Sequence, residues 1–116
     1  SASAGANILV VRDSSAMKAY LSSCYQQFNV VFVDTQSVVN QNGDDAIELF
    51  MAGDIIETYG NSNEDGTGKP WEYTGSWAFK NAEGLWINGA INCTDSTETI
   101  YDADCVYPIC EMIKVT

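Results

Sequence analysis

Four cysteines, at positions 24, 93, 105 and 110, constrain this chain more than any other feature. Their number is even, and no two share the C-x-x-C spacing that a zinc site or a thioredoxin-like redox site would use. Two disulfides formed in an oxidising compartment account for them best, and such staples suit a small domain with a modest core. Three pairings are open, of which Cys24–Cys110 with Cys93–Cys105 is the favoured one. At 116 residues the chain fits one domain, spanning residues 1–116.

Charge and composition then exclude whole classes of function. Sixteen acidic residues against five basic ones leave a net charge of −11. The five cations, Arg12, Lys18, Lys69, Lys80 and Lys114, are scattered along the sequence. Nucleic-acid binding needs clustered Lys and Arg, so no nucleic-acid partner is expected, and anionic lipid is disfavoured on the same ground. Histidine is absent. That removes Ser-His-Asp and Cys-His catalysis, His-ligated zinc and an imidazole switch near neutral pH. The apolar share, 46%, is that of a globular chain and not of an acidic disordered tail. No apolar run approaches the roughly 18 residues of a membrane span, so no membrane insertion is expected. The first residues, Ser1-Ala2-Ser3-Ala4-Gly5, lack the basic and apolar regions of a signal peptide, as does a mature secreted chain.

Patterning along the chain predicts several strands and one helix. Residues 7–11 and 30–33 are continuous apolar runs, read as buried strands. Between them Met17, Tyr20, Leu21, Cys24 and Phe28 recur three or four residues apart after Ser14, which predicts a helix. Asn40 to Asp44 is turn chemistry. Residues 46–51 and 54–59 alternate on either side of Ala52-Gly53, the signature of a hairpin. A polar, glycine-rich loop over 60–70 leads to strands at 76–79 and 85–87. An acidic loop over 92–104 precedes a closing strand over 105–115. Many short strands with a single helix argue for a small sandwich.

The segment Asn42-Gly43-Asp44-Asp45-Ala46-Ile47-Glu48-Leu49-Phe50, then Asp54-Ile55-Ile56-Glu57-Thr58-Tyr59-Gly60, resembles the lamin-tail domain family. The later groups Asp65-Gly66-Thr67-Gly68, Trp71-Glu72-Tyr73 and Trp77-Ala78-Phe79-Lys80 are similar to that family in the same order. The resemblance covers roughly residues 6 to 80 and is nearest to the domains attached to secreted bacterial nucleases. It implies a mostly β, immunoglobulin-like sandwich that mediates interactions and does not catalyse. Family members carry two or three strands ahead of the point where this chain begins. Three readings of their absence stay open: a domain cut from a longer chain, a domain that closes differently, or an open edge and apolar groove filled by a strand from another molecule.

Three groups of residues invite chemistry. Across Asn61 to Glu72, oxygen-bearing Asn61, Asn63, Asp65 and Thr67, with Gly66 at the sixth position and Glu72 at the twelfth, follow the spacing of an EF-hand Ca²⁺ loop. Asn61 in place of aspartate, Gly68 at the eighth position and strand-like flanks depart from that pattern. A solvated turn, with its glycines and Trp71 there for packing, is the plainer reading. Asp44 and Asp45, read at a strand onset, point to opposite faces, with Asp44 bonding turn amides. Asp95, Glu98, Asp102 and Asp104 read as a solvated loop. Asn92-Cys93-Thr94 is a glycosylation sequon with a cysteine in its middle. Trp71/Tyr73 and Trp77/Phe79 keep the two-residue period of one sheet face, and with Trp86 they read mostly as core, with a carbohydrate-stacking platform as the alternative.

The expectation is a secreted, disulfide-stapled β-sandwich with one short helix, serving as a structural or adhesive module. It would pair with itself or another extracellular protein, and Ca²⁺ could tighten the contacts. The alternative is a Ca²⁺-dependent carbohydrate-binding accessory domain of a secreted enzyme such as a nuclease. Catalysis by this chain is not expected.

Overall fold

The structure, a computed structural model, describes residues 3–34 and 40–110. The chain divides into two compact units, residues 1–40 with 96–116, and residues 41–95.

In the first unit β1 (Ile8–Val11) leads through α1 (Ser14–Leu21) and a 3₁₀ helix (Ser22–Gln27) to β2 (Val30–Val33). The two strands pair in parallel, Ile8 opposite Val30 through Val11 opposite Val33. A helical crossover is the connection such pairing requires, since a tight turn cannot bring the chain back to run in the same direction. Asp13 caps the helix by accepting a hydrogen bond from the Ala16 amide at 3.0 Å. At the other end Ser22 enters the left-handed region at φ +55°, which breaks the α-helical ladder. The apolar face predicted to run through Phe28 is therefore split between α and 3₁₀ geometry. It still reaches one core: Leu21, Cys24 and Ile100 are buried, with Leu9, Met17, Tyr20 and Phe28 packed against them.

Covalent and polar links close this unit. Cys24 bonds to Cys110, their Cα atoms 5.6 Å apart. Cys105 of this unit and Cys93 of the second unit are also disulfide-bonded and no free thiol remains, in agreement with the favoured pairing. The Tyr20 hydroxyl shares hydrogen bonds with Thr97 at 2.7 Å and with the Tyr107 hydroxyl at 3.0 Å. A 3₁₀ turn at Ile100–Asp102 buries Ile100 and is held by a capping box between Thr99 and Asp102.

In the second unit β3 (Ile47–Met51) and β4 (Asp54–Tyr59) form the predicted antiparallel hairpin. Ala52 at φ +52° and Gly53 at φ +87° make its turn, the left-handed pair that matches strand twist. A bulge between Leu49 and Phe50 shifts the register and leaves Ile56 without an opposite residue. A second hairpin pairs β5 (Ala78–Lys80) with β6 (Trp86–Asn88).

Three expectations need correction. The runs at 7–11 and 30–33 are not buried strands: Val11 is buried, but Ile8, Val10, Phe32 and Val33 are exposed. Two strands alone present one packed face, so Ile8 and Val10, which alternate with Leu9 and Val11, stay in water, while the far end of β2 is exposed at both Phe32 and Val33. Trp71 and Tyr73 lie in turns and not on a strand. Residues 105–110 contain no strand, and the rest of the expected closing strand lies outside the described residues. Strands outweigh the one short α-helix, but they form three separate two-stranded sheets among the described residues.

Candidate functional site

The hairpin β3–β4 exposes most of its apolar side chains. Ile47, Leu49, Phe50, Met51, Ile55 and Ile56 are all exposed, Phe50 to 56% and Met51 to 62%. Strong alternation would normally hide one face of such a hairpin against a second layer. Only the Tyr59 end is covered: that ring is buried and meets Trp71, Tyr73 and Trp86 edge-on, with centroids 6.2, 5.5 and 5.0 Å away. Each described sheet has two strands, so every described strand has one ladder edge that no third strand pairs.

Tyr59 organises the aromatic residues. Its hydroxyl donates to the Trp71 carbonyl at 2.6 Å. Trp71 in turn lies so close to Gly60 and Gly66 that a Cβ on either would come within 2.7 Å of its ring. Gly66, read as the sharp turn of a Ca²⁺ loop, thus has a packing reason to be glycine. The Trp71 indole donates to Glu64 at 3.3 Å. Around Tyr59, Trp71 and Trp86 opens a cleft of about 490 Å³, with Asn61, Glu64 and Asn88 on its walls. None of Trp71, Tyr73, Trp77, Phe79 and Trp86 is fully buried: Trp71, Tyr73 and Trp86 gather at Tyr59, while Trp77 and Phe79 pair with each other at 6.3 Å.

Most of the candidate Ca²⁺ ligands already serve the loop itself. Asn61 accepts from the Asn63 amide at 2.9 Å. Asp65 accepts from the Thr67 amide at 3.0 Å and from its hydroxyl at 2.9 Å. These bonds hold the Asp65 carboxyl below its usual range. The Thr67 hydroxyl also lies 2.8 Å from an Asp44 oxygen. Glu72 turns to the Gly68 amide and the Thr74 hydroxyl, each at 2.8 Å. Among the described residues no group of three or more Asp, Glu or Cys converges as a metal site.

Asp44 and Asp45 precede the strand and line one acidic cavity with Glu64 and Asp65, which corrects the expectation that they diverge. Asp45 is exposed to water, as expected, but it is its carboxylate that takes the Asn42 amide, while half-buried Asp44 takes the Thr67 hydroxyl. The pattern could not reveal this, because strand alternation does not apply before the strand begins. In the loop over 92–104, Asp102 is engaged in the capping box. Asn92 of the sequon is exposed at φ +63°, and the Thr94 hydroxyl donates to the Gly75 carbonyl at 2.7 Å.

Tyr73, which donates to the Asp45 carbonyl at 2.9 Å, has its phenol pushed up to about 12, by burial first and by the Asp45 charge second. Tyr59 is raised by burial as well. Glu57 is held below its usual range by the Lys80 ammonium at 2.6 Å. Sequence reasoning missed Tyr59 as the organising residue. Its signal was its place at the inner end of a hairpin followed by three tryptophans.

No protein family, curated protein or solved structure compared with the chain matches it. The two disulfides are consistent with an extracellular protein, and no helix among the described residues is long and apolar enough to cross a membrane.

Proposed function

We propose that this chain is a non-catalytic extracellular interaction module that assembles with copies of itself by pairing exposed strands. The observation that carries this reading is the row of exposed apolar side chains on β3–β4. Contiguous apolar surface on unpaired strand edges is the arrangement used by strand addition. The lamin-tail resemblance of residues 6 to 80 implies an interaction role and does not itself imply self-pairing. In the assembled form the small sheets would complete a sandwich that each chain begins. The charge of −11 keeps separate chains apart until salt or a cation screens it, so assembly would strengthen with ionic strength.

Light scattering on the native protein tests this. The expected result is a mass that rises with protein concentration and with salt, and that returns to monomer in a Phe50→Lys/Met51→Lys variant. A mass of 12.6 kDa at every concentration and salt level would refute self-assembly. A chelator arm separates the role of Ca²⁺: loss of assembly would assign the ion to the contacts, and unchanged assembly would remove it from the mechanism.

A further inference from the structure

The cleft around Tyr59 has a chemistry that strand pairing does not use. Its volume of about 490 Å³ falls within the range of about 300–1,000 Å³ typical of small-molecule sites. Three aromatic rings line it, and they stand nearly perpendicular: Tyr59 makes 88° with Trp71 and 79° with Trp86. Tyr59 itself is buried, so the aromatic surface open to the cleft is that of half-buried Trp71 and exposed Trp86, and ring faces are the negative ends of the quadrupole. Trp86 is 39% exposed, which is high for the largest apolar side chain. One ammonium already exploits it, since Lys80 Nζ sits 5.9 Å from the Trp86 centroid.

The wall adds a full negative charge. Glu64 is positioned by the Trp71 indole at 3.3 Å, and its other oxygen faces Lys69 at 3.9 Å, a long and exposed pair. The remaining wall groups are uncharged: Asn61, and Asn88, whose amide nitrogen is held by the Pro70 and Glu72 carbonyls at 3.3 and 3.2 Å. With a net charge of −11 the surrounding field attracts cations and repels anions. Aromatic faces with one carboxylate recognise a bulky, weakly hydrated cation. A sugar would need several free donors, and the Trp71 indole and the Asn88 amide are already engaged.

We infer that this cleft binds a methylated or quaternary ammonium group. Affinity is expected in the millimolar range, because the site is open and each ring contributes little on its own.

The test is titration of the native protein with tetramethylammonium chloride, followed by the indole N–H resonances. Those of Trp71 and Trp86 should shift and saturate, while Trp77, which does not line the cleft, serves as the internal control. The neutral isostere 3,3-dimethylbutan-1-ol should leave all three unmoved. Glu64→Gln, which retains an acceptor for the Trp71 indole, should weaken binding about threefold with unchanged melting temperature. Choline and N-trimethyl-lysine, run as separate arms, distinguish a free metabolite from a modified protein tail as the source of the cation. No saturable shift, equal shifts with the isostere, or saturation by cellobiose instead would overturn the inference. Because the monomer can be titrated, failure here is distinguishable from failure of self-assembly.

Discussion

The two units are held together by different means. Residues 1–40 with 96–110 have an aliphatic core at Leu21, Cys24 and Ile100, and the Cys24–Cys110 bond passes through it. Residues 41–95 have no such core: one buried side chain, Tyr59, gathers rings edge-on, and loop side chains hydrogen-bond their own backbone. A covalent staple lets the first unit keep its few buried residues together at low apolar content. The second gathers its rings around one buried side chain, and the apolar residues of β3–β4 are left outside. Apolar exposure therefore concentrates where the core is thinnest.

Removing the staple should have the largest effect. Cys24→Ala/Cys110→Ala opens a loop with a sequence separation of 86, expected to cost about 4 kcal/mol. Hydrogen exchange should lose protection on β1, α1 and β2 while near-ultraviolet dichroism from the Tyr59 cluster persists. Simultaneous loss of both signals would show that the units are one cooperative body.

Tyr59→Ala comes next, at about 3 kcal/mol, because it empties the centre of the second unit. Its mark should be sharpened resonances of Trp71 and Trp86 with unchanged protection on α1. Tyr59→Phe, which loses only the hydroxyl bond to the Trp71 carbonyl, should cost about 1 kcal/mol.

Alkaline pH should act on the second unit, and less strongly. A phenol whose folded pKa is raised binds its proton more tightly when folded, so its stabilisation is complete below about pH 10 and is lost towards about 12. Absorbance at tyrosinate wavelengths should show a late-titrating tyrosine, and Tyr73→Phe should remove it. If Tyr73 titrates with the free tyrosines, its burial in this unit is wrong.

The smallest effect is at the hairpin turn. Ala52 holds φ +52°, a left-handed geometry that costs an L residue about 1 kcal/mol. Ala52→Asn should raise stability by about 0.5 kcal/mol, measurable as a denaturant midpoint shift without a change in slope.

How far the sequence was readable follows the range of the interactions. The hairpin at Ile47–Tyr59 and the strand Val30–Val33 were legible because alternation, apolar runs and Ala52-Gly53 are local signals. The helix was legible as a face, but its change to 3₁₀ geometry at Ser22 was not. The period-two spacing of Trp71 and Tyr73 misled, since Pro70 and Gly75 flank them and the segment folds as turns. The Ca²⁺-like spacing from Asn61 to Glu72 was visible as a pattern, yet its glycine serves Trp71 and its carboxylates serve neighbouring amides and hydroxyls.

By itself, then, the sequence determined an acidic, histidine-free chain with an even set of cysteines, one helix and a tight hairpin, because composition and short-range periodicity need no partner. Only the tertiary structure decided that β1 and β2 run parallel, that Tyr59 stands at the centre of an open aromatic cleft, and that the apolar side of β3–β4 faces water. Those are long-range outcomes: which residues meet is set by packing across tens of residues, and no local pattern encodes that choice.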